Sequence, residues 1–140
     1  MSAPVGYSGT PLPKKLGIRA GDRVLLDGAP AGFETDVLGP LPDGVVVHRR
    51  PGRTAYDVVV VFRDSARSLH RTLERDSART APPAGRLWIA WPKKASGVAT
   101  DLSDGVVREA GLAAGVVDTK VCAVDATWSG LMFVRRSRDR

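Results

Sequence analysis

Short apolar runs alternate along the chain with breaks marked by glycine, proline or charge, and their spacing predicts a series of elements. Arg23 to Asp27 (RVLLD) lies between Gly21 and Gly28 and predicts a buried strand. Ala31 to Leu38 predicts a short helix ended by Gly39-Pro40, and Val45 to His48 a second strand entered through Pro42-Asp43-Gly44. Tyr56 to Arg63 (YDVVVVFR) is the strongest strand signal, because four consecutive valines are poor helix formers and good strand formers. The run is continuous rather than alternating, so both of its faces must be covered, as in a parallel sheet with helices on each side. Asp64 to Arg79 predicts an amphipathic helix with Ala66, Leu69 and Leu73 on one stripe, capped by Asp64 or Ser65. Arg86 to Trp91 (RLWIAW) predicts the next buried strand, stopped by Pro92. Ser103 to Ala114 predicts a helix with Ser103 as N-cap and Gly115 as C-terminal stop. Lys120 to Asp125 and Leu131 to Arg135 predict a final strand pair joined through Ala126 to Gly130.

This alternation predicts an α/β fold: a Rossmann-like three-layer sandwich around a mostly parallel sheet of about six strands, closed by an antiparallel C-terminal hairpin. Residues 23–136 form its single domain. Residues 1–22 precede it as an extended arm with one helical turn at Lys14 to Ile18, and 137–140 follow as a basic tail.

Composition adds a few limits. The chain has 140 residues, 43% of them hydrophobic, enough for a core without disulfides or a structural metal. The single cysteine, Cys122, excludes an intramolecular disulfide and fits a small core residue in a reducing cytoplasm. No apolar run approaches the ~20 residues that span a bilayer, and the first residues lack a signal-peptide core, so a cytoplasmic protein without membrane partners is expected. Of the net charge of +6, the segment Arg135 to Arg140 carries +3. The serine-hydrolase elbow, the P-loop and any metal-ligand spacing are absent, and His48 and His70 read as surface residues.

The stretches LGIRAGDRVLL, PAGRLWIAW and VREAGLAAG, followed by a terminal strand pair, resemble a truncated class I methyltransferase domain. GYSGTPLPKKLGI, WPKKASGVATDL and DATWSGLMFVRR resemble an uncharacterised bacterial family of unknown function (DUF3052-like), nearly end to end. The first resemblance implies a methyl-donor site after the first strand, and three features depart from it. The turn Asp27-Gly28-Ala29-Pro30-Ala31-Gly32 lacks the glycine spacing, the following helix is short, and the second strand ends in His48-Arg49-Arg50 where the fold implies a ribose-binding acid. The expectation is therefore no cofactor, S-adenosylmethionine included, and no assigned catalytic residue.

In open parallel sheets ligands bind beyond the carboxyl ends of the strands. That edge receives Asp27, Trp91, Lys93, Lys94, Ser96 and Gly97, and the closing hairpin would bring Trp128 and Ser129 to it. Four of only five lysines sit in two doublets of a chain with 16 arginines, and an ammonium is a compact point charge suited to a phosphate or carboxylate. The leading expectation is a small, non-catalytic domain that binds a small anion or a protein partner at Lys93-Lys94, with Trp91 or Trp128 as a flat wall. Tyr7, Ser8 and Thr10 of the arm could add donors or cover. Asp27 and Asp125 could instead be a paired acid and base. The alternatives are a divergent S-adenosylmethionine-dependent methyltransferase-like enzyme, and a basic nucleic-acid or protein-interaction adaptor using the stripe Arg67, Arg71, Arg75, Arg79 and the tail. Each of these charged features also has a plain reading as solvated surface.

Overall fold

Every residue of Val58–Val61 is fully buried, and the run supplies both sides of the structure at once. Val59 and Val61 pack into one core cluster and Val58 and Val60 into the other. This is the period-2 geometry of a strand screened on both faces. The computed structural model describes residues 10–67 and 69–136. Its strands are β1 (Arg23–Asp27), β2 (Val46–His48), β3 (Val58–Phe62), β4 (Arg86–Pro92), β5 (Val116–Ala123) and β6 (Trp128–Arg135). Its helices are α1 (Leu12–Lys15), α2 (Leu69–Ser77) and α3 (Asp104–Ala113).

The sheet order is β2-β1-β3-β4-β6-β5. β1 to β4 are parallel, and β6 runs antiparallel between β4 and the edge strand β5. α2 and α3 cover one face, where Leu69, Leu73 and Val107 meet Leu25, Ile89 and Phe133. The other face is covered by α1 and the turn after β1, through Leu16, Ile18, Phe33 and Leu38. Trp88 Nε1 donates to Leu16 O at 3.0 Å and ties α1 to the sheet. The three-layer sandwich and its closing hairpin follow the sequence expectation.

Several boundaries differ, each for a physical reason. The helix expected over 31–38 is a π-helical turn, Glu34–Leu38, closed by Gly39 N donating to Glu34 O at 3.1 Å. The helix expected over 64–79 forms as Leu69–Ser77. Its first residues are drawn instead to the loop before α3: Ala66 N donates to Asp101 Oδ1 (2.7 Å) and Thr100 Oγ1 to Asp64 O (2.6 Å). The final strands are longer than expected, because β5 and β6 pair almost along their whole length. Between β2 and β3 the chain crosses over β1 in a loop, residues 49–57, with no helix. Tyr56 anchors it: its hydroxyl receives Gly52 N (2.9 Å) and bonds His48 Nδ1 (2.7 Å). His48 is thus part-buried and structural, a correction to its surface reading.

α3 approaches β6 closely because Gly111 has no side chain, and a Cβ there would fall inside the Phe133 ring. Gly111→Ala is expected to destabilise by roughly 1–3 kcal/mol, the usual cost of overpacking. A thermal melt checks this, and an unchanged midpoint would contradict the packing.

Candidate functional site at the carboxyl edge of the sheet

The connections leaving β1 and β3 diverge to opposite sides, so the switch point of the sheet lies between these two strands. Asp27 ends β1 there and Gly28 follows with φ of 78°. A Cβ on Gly28 would lie 2.9 Å from Phe62 O, so glycine allows the close approach of this turn to β3. Arg63 crosses the gap, donating to Phe62 O (2.8 Å) and meeting Asp27 Oδ2 at 3.1 Å. From the end of β2, Arg49 reaches over the same turn to Ala29 O and Pro30 O (both 2.8 Å) and clasps Glu34 through Nε and Nη2. The arginine at this strand end therefore brings a carboxylate with it. Asp27, Glu34 and Asp36 all lie on or beside the turn after β1: Asp27 meets Arg63 and Arg75, Glu34 meets Arg49, and Asp36 lines a cleft with Thr10 and Pro40.

Asp27 and Asp125 are not a pair, which corrects that reading. Asp125 Oδ1 accepts Thr127 N and Trp128 N, both at 2.8 Å, and caps the hairpin. The carboxyl beside Asp27 is Asp76 of α2, whose residue exposure is 0%. Around them lie Arg75, at 2.9 Å from Asp27, and Arg79, at 2.7 Å from Asp76. Burial, then the hydrogen bond and charge of Asp27, push the Asp76 carboxyl up to about 6, against the pull of Arg75. Burial also raises Asp27, but the hydrogen bond with Asp76 and the charges of Arg63 and Arg75 outweigh it and hold Asp27 below its ordinary range. Asp76 was legible in principle: with Leu69 and Leu73 it occupies one helical stripe, a carboxylate at an apolar position.

The predicted arginine stripe divides accordingly. Arg67 and Arg71 are exposed, while Arg75 and Arg79 face carboxylates.

The lysine loop lies beside the hairpin, since Lys93 N donates to Thr127 O at 2.7 Å. Trp91, Lys93, Lys94 and Ser129 line one cleft of about 660 Å³, together with the loop 98–104. Ser96 and Gly97 build the turn rather than the wall. Ser96 Oγ donates to Lys93 O (2.6 Å) and accepts from Val98 N, and Gly97 takes φ of 78° to close it. Trp128 sits on the opposite face of the sheet from Trp91, edge-on to Phe62 at 5.2 Å. The two indoles therefore do not share a notch, because adjacent residues of paired strands need not face the same way. Thr10 lines a second cleft, of about 370 Å³, with the turn 36–38 and the hairpin tip 123–126. Tyr7, Ser8 and the tail 137–140 lie outside the described residues. Cys122 is part-buried, and burial pushes its thiol up. Among the described residues no group of three or more His, Cys, Asp or Glu is placed to hold a metal ion, and no helix is long and apolar enough to cross a membrane.

This architecture defines a methyltransferase-like Rossmann fold. Solved structures of the same fold include the Methanococcus jannaschii fibrillarin pre-rRNA processing protein (TM-score 0.61, 11% identity, 93% of this chain and 70% of that one). Another is Aeropyrum pernix fibrillarin in complex with natively bound S-adenosyl-L-methionine (0.54, 14%, 92% and 70%). A third is magnesium protoporphyrin IX methyltransferase from Synechocystis PCC 6803 with bound SAH (0.53, 12%, 84% and 75%). At these identities the likeness shows the fold. No family model matches the chain, and no curated protein sequence does. The expectation of no cofactor is overturned by two of these neighbours, the Aeropyrum fibrillarin and the Synechocystis methyltransferase, which were solved with S-adenosyl-L-methionine and SAH bound.

The carboxyl pair sets a pH dependence. Folded Asp76 holds its proton more tightly than an unfolded aspartate of ordinary value 3.8, so its contribution to stability is complete below 3.8 and lost as pH rises through about 6. Asp27 acts in the opposite sense and only below its ordinary value, so Asp76 governs the range above pH 5. The melting temperature is expected to rise by roughly 3–6 °C from pH 7.5 to 5 relative to Asp76→Asn, which supplies the baseline for histidine ionisation. Parallel curves for the two proteins would refute it.

Proposed function

We propose that this chain is a methyltransferase-like binding domain of the DUF3052-like bacterial family, and that it takes an S-adenosyl ligand at the switch point between β1 and β3. One observation carries the reading. The turn after β1 starts at an acid, Asp27, approaches β3 closely at Gly28, and lies at the switch point of a sheet whose fold neighbours were solved with S-adenosyl ligands. The donor set fits such a ligand. Once their ion pairs open, Glu34 and Asp27 supply acceptors for its hydroxyls, and the guanidinium groups of Arg49 and Arg63 suit its carboxylate. Arg49 and Glu34 are both partly exposed, and an exposed ion pair is worth only about 0–1 kcal/mol, so exchanging it for a ligand is inexpensive. When bound, the S-adenosyl group would supply a sulfonium methyl; this chain's own residues bind and orient it.

Calorimetric titration with S-adenosylhomocysteine tests the reading. One-to-one binding is expected, with Glu34→Ala weakening it about tenfold, or ~1.4 kcal/mol. Glu34 lies in a surface turn, so the variant should keep the fold. Absence of heat and of any thermal shift with millimolar ligand would remove the proposal.

A further inference from the structure

The lysine cleft lies on the α3 side of the sheet and is separate in lining from the β1 turn. Its floor is apolar and largely closed: Trp91 and Leu102 are each 6% exposed. Its mouth is apolar and open, since Val98 is 44% exposed and Val121 52%. Both valines line the same concave surface as the buried Trp91 and Leu102, so exposed and buried apolar area adjoin in one cleft. At one end stand Lys93 and Lys94, and among the described residues neither ammonium has an ion-pair or hydrogen-bond partner. The lining also holds two carboxylates. Asp101 accepts Ala66 N at 2.7 Å, and Asp104 is paired with Arg108. Asp101 keeps its charge against a neutral N–H, so the unpaired charge of the lining is two lysines against one carboxylate, net positive.

We infer that this cleft is a second binding site, for a small molecule with an anionic head and an apolar body. The head lies at Lys93 and Lys94, and the body lies along Trp91 and Leu102 under Val98 and Val121. A free inorganic anion would leave the apolar wall uncovered, and a neutral apolar molecule would leave the lysines unmet. The volume of about 660 Å³ suits a ligand of this kind rather than a folded partner. The inference does not depend on the S-adenosyl reading, since the two sets of residues share no member.

The test titrates the ¹⁵N-labelled full chain with 4-phenylbutyrate, with its neutral amide and with inorganic phosphate, following backbone resonances. Phenylbutyrate is expected to give saturable shifts confined to residues 91–104, 121 and 129. The amide and phosphate should each bind at least tenfold more weakly. The double variant Lys93→Gln/Lys94→Gln should lose about tenfold in affinity for the carboxylate and keep its affinity for the amide. Shifts centred elsewhere, equal binding of acid and amide, or an unchanged double variant would each overturn the inference. So would loss of the S-adenosylhomocysteine response in that variant, because it would merge two sites argued to be separate.

Discussion

The structure depends on burying both faces of β3. Four valines in succession leave no side of that strand for water, so the chain must lay cover on each side of the sheet. α2 and α3 supply one layer, and α1 with the π-helical turn supplies the other. β1 and β4 inherit the same constraint, which is why Leu25 and Ile89 face one cluster while Leu26 and Trp88 face the other. With both faces of the central strands β1, β3 and β4 screened, their ends remain open, and polar side chains gather at the carboxyl edge.

That edge is held by arginines. Arg49 and Arg63 fasten the turn after β1, and Arg75 and Arg79 meet the carboxyls of Asp27 and Asp76. A chain rich in arginine thus spends several of its charges internally, where the planar guanidinium can satisfy two acceptors at once. The lysines behave differently. Among the described residues the Lys93 and Lys94 ammonium groups remain unengaged, on a turn that Ser96 and Gly97 hold in shape. The division of labour between the two cations separates a fastened crevice at β1 and β3 from an open cleft at β4 and α3.

The short crossover from β2 to β3 explains why the polar network is dense. Residues 49–57 span β1 without a helix, 49–55 are exposed, and Tyr56 is the residue that reaches the core. Polar contacts anchor that residue: His48 and Gly52 hydrogen-bond the Tyr56 hydroxyl, and the Arg23 guanidinium lies over its ring at 5.0 Å in a cation–π contact. α2 fills the remaining space on that face, and in doing so it draws Asp76 inward against Asp27.

Local pattern was enough to determine the strands, the order of elements and the class of fold. Apolar continuity and breakers act within a few residues, and the valine run leaves β3 no other arrangement. It was also enough to place Trp91, Lys93, Lys94 and Ser129 near one edge, since that edge follows from strand direction alone. The facing of Trp128 and the pairing of Asp27 with Asp76 rather than Asp125 were decided by tertiary packing. Each depends on which distant element meets a given face, through contacts between residues far apart in the chain. A carboxylate reads the same in sequence whether it meets water or an arginine and a second carboxyl from a distant element.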